Sequence, residues 1–88
     1  MVLSDVGGRI AWLLLHLVER FGHPGNERAG IPPAVRHDLT QYEFAQIVGA
    51  SRETVNKTLT DLVNREIIEV SPREIRILRP DRLRARID

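Results

Sequence analysis

The chain has 88 residues, 42% of them hydrophobic and 28% charged, which is the composition of one ordinary globular domain with a single modest core. The absence of cysteine excludes a disulfide framework and a thiolate metal site. The longest apolar run, residues 10–15, is too short to span a membrane, and no cleavable signal precedes it, so we expect a cytoplasmic protein.

The net charge of +1 is small for a protein that binds nucleic acid, but its distribution is uneven. Residues 1–50 sum to −1 and residues 51–88 sum to +2, and the last sixteen residues alone sum to +3. This basic C-terminal half permits contacts with phosphates. An ordinary solvated surface explains the charges equally well.

A first helix is predicted over residues 4–21, with Ser4 as its N-cap. Its apolar residues recur at helical spacing and predict one inward face: Val6, Ile10, Leu13, Leu14, Leu17, Val18 and Phe21. Trp12 falls on the opposite face, where either a neighbouring domain or nearby loops would cover it.

A loop rich in Gly and Pro is predicted over residues 22–38, with a short strand over residues 34–37. Connections of this length in small domains usually have a function or are mobile. Variation in a surface loop is the simpler explanation.

Two helices joined by a tight turn are predicted over residues 40–65. Thr40 and Glu43 have the spacing of a capping box, with Leu39 and Phe44 as a hydrophobic staple. Gly49 suits the left-handed residue that ends the second helix, and Ser51 caps the third. The inward residues of the two helices are predicted to be Phe44, Ala45, Ile47, Val48, Val55, Leu59, Leu62 and Val63.

Alternating apolar residues predict a two-stranded β-hairpin over residues 67–78, with its turn at residues 71–74. A hairpin directly after the third helix makes a winged helix-turn-helix, an α+β fold that is mainly helical. Residues 80–88 form a tail that could hold a short last helix, and the whole chain, 1–88, is predicted to be one such domain.

The exposed start of the third helix carries the residues that could read DNA. An Arg can donate two hydrogen bonds to guanine, and a Glu can accept one from the amine of cytosine. Arg52 and Glu53 lie at the end of the helix that a helix-turn-helix directs at base edges, and Lys57 follows one turn later. By themselves these are also ordinary surface residues, and Lys57 could form a weak ion pair with Asp61.

Five further residues are predicted to contact the DNA backbone: Thr40, Ser51, Thr54, Asn56 and Arg73. Hydroxyl groups and free N–H groups near helix N-termini suit phosphate oxygens. Arg73 lies at the tip of the hairpin. Thr40 and Ser51 would act as helix caps whether or not DNA binds.

Enzyme chemistry has no support in the sequence. The three histidines lack metal-ligand spacing, and we find neither a nucleophile beside a base nor a Gly loop that could hold phosphates. No catalytic, metal or cofactor site is predicted. A winged helix that binds another protein, without reading DNA, is the alternative, and the low net charge and the exposed Trp12 favour it.

The chain resembles the C-terminal DNA-binding domain of the cyclic AMP receptor protein and fumarate-nitrate reduction regulator (Crp/Fnr) family of bacterial transcription factors. The resemblance covers nearly the whole chain. It begins at residues 5–11, DVGGRIA, and is strongest over residues 46–49, QIVG, and residues 51–55, SRETV.

This resemblance implies that Arg52 and Glu53 read G·C pairs of a half-site, that Lys57 makes a third base contact, and that Thr40 and Ser51 hold phosphates. Family members act as homodimers on near-palindromic operators, and surface loops, here residues 22–38, contact RNA polymerase. An N-terminal domain binds an effector such as cyclic AMP. We therefore expect this chain to be part of a larger regulator, and the isolated domain to be a monomer that binds weakly.

Four features depart from the family pattern. Lys57 replaces an Arg, which puts bidentate recognition of guanine in question at that position. Glu66 ends the third helix where Gly or Asn is common, and Pro72 replaces the usual Gly of the wing. The loop over residues 22–38 is longer than the family pattern, so no polymerase-contact residue can be assigned.

Overall fold

Four helices and a three-stranded antiparallel sheet make up the computed structural model, which describes residues 5–36 and 41–87. In chain order the elements are α1 (Val6–Phe21), β1 (Ala34–Arg36), α2 (Gln41–Val48), α3 (Arg52–Asn64), β2 (Ile68–Val70), β3 (Glu74–Ile77) and α4 (Pro80–Ala85). The predicted mainly helical winged helix-turn-helix is confirmed. No helix in these residues is long and apolar enough to cross a membrane.

Helix α1 is capped by Asp5, whose carboxylate accepts a hydrogen bond from the Gly8 N–H at 2.6 Å. The predicted cap, Ser4, lies outside the described residues, and the acceptor role belongs to the next residue along the chain. Phe21, which the sequence predicts on the buried face, is 73% exposed. It lies in the last turn of the helix, beyond Val18, the last buried residue of α1.

The wing has three strands rather than the two that the sequence predicts. Strand β1 pairs with β3, which also pairs with β2, so the order is β1-β3-β2. Val35 lies opposite Ile75 in this pairing, and both are buried. The apolar residues of β1 therefore cover an edge of the hairpin that would otherwise be unpaired.

The long connection after α1 is ordered over residues 22–36. His23 and Ala34 exchange two backbone hydrogen bonds of 2.9 and 3.1 Å, and Asn26 and Ile31 exchange two of 2.7 and 2.9 Å. A four-residue turn closes this narrow antiparallel ladder. The segment predicted as a loop is thus a second hairpin-like arm, and its residues 37 and 38 lie outside the described part.

One core joins all these elements. Its largest fully buried side chains come from the four helices and the sheet: Ile10, Leu14, Phe44, Val55, Leu62, Ile68, Ile75, Ile77 and Leu83. Leu83 anchors the short α4, which packs against α1. Ile47 and Val63, predicted to face inward, are exposed because each lies on the flank of its helix's buried face.

Helices α2 and α3 end in the same way. Gly49 has φ +72° and Glu66 has φ +58°, both in the left-handed region. In each case a later N–H bonds back across the helix end, from Ala50 to the Ala45 carbonyl and from Ile67 to the Leu62 carbonyl, at 3.0 Å. Gly49 adopts the conformation that the sequence predicts, whereas Glu66 holds a side chain where Gly would be unstrained.

These two helix ends predict substitutions of opposite sign. Glu66→Gly should raise the free energy of unfolding by about 1 kcal/mol, and Gly49→Ala should lower it by about 1 kcal/mol. No atom lies within 4 Å of a Cβ built at Gly49, so the loss there is conformational rather than steric. Urea unfolding measures both, with Glu66→Ala as the control that removes the charge and keeps the strain. If both substitutions changed the free energy of unfolding in the same direction, the left-handed conformations at the two helix ends would not explain their effects.

Candidate nucleic-acid interface

Helix α3 is held with one face buried and the other open to solvent. Val55, Leu59 and Leu62 are buried, and the helix packs against α1 and α2. Helical periodicity then directs the other face away from the core. The three residues predicted to read bases, Arg52, Glu53 and Lys57, are exposed on this helix. The fold therefore presents them together on one accessible element.

Glu53 and Lys57 form an ion pair along the helix. The Lys57 Nζ lies 3.4 Å from the Glu53 Oε1, and the two side chains are 76% and 80% exposed. Exposed pairs of this kind contribute only about 0–1 kcal/mol, so either partner can exchange the other for a ligand at little cost. Lys57 thus pairs with the residue one turn before it and not with Asp61, the surface partner considered from the sequence.

Asp61 forms ion pairs with two arginines instead. Arg65 donates from Nε to Asp61 Oδ1 at 2.9 Å, and the Arg86 Nη1 lies 3.6 Å from Asp61 Oδ2. The hydrogen bond from Arg65 is the main cause that lowers the pKa of Asp61 below its ordinary value of 3.8. The carboxylate is therefore ionised at neutral pH, and its pairing is lost only as the pH falls through that lowered pKa. This link joins the end of α4 to the side of α3.

Arg52 has no ion pair or hydrogen-bond partner for its side chain among the described residues. It occupies the first position of α3 and is exposed. Since no carboxylate holds it, its guanidinium keeps all five donors for a planar acceptor such as a base edge or a phosphate. Of the three predicted readers, Arg52 is the one with the most freedom to bind.

The N-terminus of α3 is closed by a small hydroxyl network. The Ser51 Oγ accepts from the Thr54 N–H at 3.1 Å and donates to the Thr54 Oγ1 at 2.9 Å. The prediction that Ser51 caps this helix is confirmed. With Ser51 as the donor, the hydroxyl hydrogen of Thr54 remains available to a phosphate oxygen. Backbone N–H groups in the first turn add further donors.

Of the three other predicted backbone contacts, the structure describes two. Asn56 is exposed on α3, and Arg73 is exposed in the turn of the wing. Ser71 stabilises that turn by donating from its N–H and its hydroxyl to the Glu74 carbonyl, at 2.9 and 3.1 Å. Thr40, with the capping box and the staple residue Leu39, lies outside the described residues.

Two arginines that the sequence did not single out have defined partners. The Arg9 Nε donates to the Val48 carbonyl at 2.7 Å and so joins α1 to the end of α2. Arg76 lies between Glu74 and Glu69 on the wing, at 2.7 and 2.9 Å. Glu74 is the first cause that raises the pKa of Arg76. The last carbonyls of the short helix α2 lack partners within the helix and need a donor from elsewhere. This requirement is the signal that could have pointed to Arg9.

Trp12 lies on the face of α1 opposite the core, as predicted, and is 42% exposed. Its ring stacks on the ring of His16, one turn later, with centroids 4.8 Å apart and planes inclined by 9°. The stacking covers one face of the indole. Among the described residues, no group of three or more histidines and carboxylates could hold a metal ion.

Comparisons with known proteins agree on one family. The model of the Crp-like helix-turn-helix domain matches residues 8–86. The CRP-like cAMP-activated global transcriptional regulator of Mycobacterium tuberculosis (strain H37Rv) is 45% identical over 86 residues, which are 98% of this chain and 37% of that protein.

Among solved structures, a CRP/FNR-family transcriptional regulator of Thermus thermophilus is similar with a TM-score of 0.77 and 27% identity, over 97% of this chain and 41% of that one. Reduced CprK without ligand has a TM-score of 0.80 at 20% identity, over 98% of this chain and 39% of that one, and supports the fold alone. The chain spans about two fifths of the length of these relatives.

The cap of α3 gives a test of how its first turn is held. Ser51→Ala leaves the Thr54 N–H without its acceptor and should lower the free energy of unfolding by about 1 kcal/mol. Ser51→Asp supplies another acceptor and should keep most of the stability. Thr58→Ala is the control, because the Thr58 hydroxyl donates to a carbonyl within the helix and caps nothing. Equal losses for Ser51→Ala and Thr58→Ala in urea unfolding would contradict the capping role.

Proposed function

The chain belongs to the family of Crp-like helix-turn-helix domains, and from this membership we propose that its helix α3 reads base sequence in the major groove of double-stranded DNA. It is a DNA-binding domain of a Crp/Fnr-type transcription regulator and not an enzyme. The alternative of an interaction module without DNA readout finds no support among its relatives.

The observation that carries the proposal is the free guanidinium of Arg52 beside the loosely held carboxylate of Glu53. Arg52 can donate two hydrogen bonds to the O6 and N7 of a guanine. Glu53 can leave Lys57 and accept a hydrogen bond from the exocyclic amine of a cytosine. Neighbouring positions in the first turn would thus read G and C at adjacent places in a half-site.

Lys57 has a different part in this proposal. Its ammonium is a point charge and cannot form the paired hydrogen bonds of an Arg. While Glu53 is unbound, Lys57 neutralises it and reduces its repulsion from the phosphates. Once Glu53 turns to a base, Lys57 becomes free for a third base or a nearby phosphate. Base selection at this third position would be weaker than in relatives with Arg.

Contacts with the DNA backbone would fix the register of α3. We assign this role to Ser51, which caps the helix end where first-turn N–H groups are open to a phosphate, to Thr54 through its free hydroxyl hydrogen, and to Asn56. Arg73 on the wing would reach a phosphate beside the half-site. Thr40 keeps the same assignment from the sequence. These contacts position the helix without selecting bases.

The remaining partners are proposed from the family. A net charge of +1 gives little general attraction to DNA, so affinity would depend on a homodimer that joins the two halves of a near-palindromic operator. The segment over residues 22–38, which includes the arm, is a candidate for contact with RNA polymerase. The mycobacterial relative carries cAMP activation in its name, and we propose that such an effector binds outside these 88 residues, in a cytoplasmic regulator.

Arginine substitutions at two places separate base readout from backbone contact. With duplexes selected from a randomised pool by the wild-type protein, Arg52→Ala should reduce affinity for the selected site by about 10- to 100-fold and leave affinity for a scrambled duplex nearly unchanged. Arg73→Ala should weaken both duplexes equally and reduce the slope of log affinity against log salt by about 1. Binding titrations at several salt concentrations measure both effects.

Arg28→Ala serves as the matched control, since Arg28 is an exposed arginine in the turn of the arm and is not part of α3. It removes the same charge and should preserve the preference for the selected site. Unchanged discrimination in Arg52→Ala would remove the assignment of base readout. Binding to DNA through phosphate contacts weakens steeply as the salt concentration rises. An affinity for the duplexes that did not change with salt would therefore argue against DNA as the ligand.

A further inference from the structure

A side-chain hydrogen bond connects α1 with the turn that begins α3. The Arg9 Nε donates to the Val48 carbonyl at 2.7 Å, across 39 positions of the sequence, in a partly buried setting. Val48 is the last residue of α2, and only Gly49, Ala50 and Ser51 separate it from α3. The bond therefore reaches the backbone at the point where the direction of α3 is set.

The chemistry of a helix end explains why this carbonyl takes an arginine. The last carbonyls of an α-helix lack partners within the helix. At the end of α2, the N–H groups of Gly49 and Ala50 both bond to the Ala45 carbonyl, at 2.9 and 3.0 Å. The turn itself thus satisfies Ala45, and Arg9 supplies the donor to Val48 from outside. A charged donor at a helix C-terminus also interacts favourably with the helix dipole.

Arg9 is itself held firmly. Its neighbours Ile10 and Ala11 are fully buried, as is Leu14 one turn later, so this part of α1 belongs to the core. The N-cap bond of Asp5 to Gly8 fixes the first turn of α1, directly before Arg9. Arg9 therefore ties the α2–α3 turn to an element that has little freedom to move.

We propose that Arg9 is a positioning residue for base recognition: by fixing the Val48 carbonyl it sets the direction of α3 and so the register of Arg52 and Glu53 on the base edges. This inference rests on the proposed function of α3. Paired hydrogen bonds to bases tolerate little error in position, whereas contacts with phosphates tolerate more. Loss of the bond should therefore reduce discrimination between sequences more than general affinity for DNA.

The test compares three variants with the selected and scrambled duplexes at one salt concentration. Arg9→Met keeps the aliphatic part of the side chain and removes the donor. It should reduce affinity for the selected duplex about tenfold and change affinity for the scrambled duplex less than about twofold. Arg9→Lys restores a cationic donor and should recover most of the discrimination. Arg20→Ala, which removes an exposed charge from the same helix, should leave the ratio of the two affinities unchanged.

Hydrogen exchange of the Gly49 and Ala50 amides, which both donate to the Ala45 carbonyl, adds a readout at the turn itself. Exchange should be faster in Arg9→Met than in Arg20→Ala under conditions where thermal unfolding shows both variants fully folded. If Arg9→Met does not fold, Arg9→Lys and Arg9→Gln are compared in the same way, with Gln expected to lose discrimination and Lys to keep it.

The outcomes separate this inference from the proposed function. Equal weakening of both duplexes by Arg9→Met, or an unchanged affinity ratio, would overturn the positioning role. Such a result leaves base readout by α3 intact as long as Arg52→Ala loses discrimination. If the wild-type protein itself shows no preference among duplexes, the proposed function fails first, and the positioning role fails with it.

Discussion

The burial of one face of α3 is the constraint on which the interface depends. Val55, Leu59 and Leu62 are buried on the helix that packs against α1 and α2, and burying each such side chain contributes roughly 1.5–3 kcal/mol. Because of the helical repeat, Glu53 and Lys57 then lie on the opposite, exposed face. The same three apolar residues that stabilise the domain therefore decide which side chains can meet DNA. If α3 rotated about its axis, a buried apolar residue would become exposed and, at the same time, a residue that reads bases would become buried.

The start of α3 is fixed by backbone chemistry more than by packing. Gly49 turns the chain in the left-handed region, Ser51 accepts from the Thr54 N–H, and Arg9 donates to the Val48 carbonyl. All three features lie at helix ends, where backbone N–H and carbonyl groups lack partners within the helix. Together they determine where α3 begins and in which direction it points. The wing adds to this arrangement, because β2 follows α3 closely and packs against it.

Local patterns in the sequence were sufficient for the elements that depend on neighbouring residues. The Ser51 cap, the Gly49 turn, the alternation in residues 67–78 and the exposed start of α3 all depend on residues a few positions apart. Interactions across long separations were missed. The pairing of β1 with β3 depends on which edge is free once the chain has folded, and the bond from Arg9 to Val48 depends on how α1 crosses α2. The exposure of Phe21 and Ile47 likewise follows from where the core ends, which periodicity does not determine.

The readout of guanine by Arg52 can be tested at the level of single atoms. Replacing guanine by 7-deazaguanine removes the N7 acceptor from the major groove and preserves base pairing, and it can be introduced at each G of the selected duplex in turn. We expect one position per half-site at which this change weakens wild-type binding by about tenfold and leaves the binding of Arg52→Ala unaffected, since the paired contact is already lost in that variant. Wild-type binding that tolerates 7-deazaguanine at every position, or equal losses in the two proteins, would contradict the claim that α3 reads bases in the major groove through Arg52.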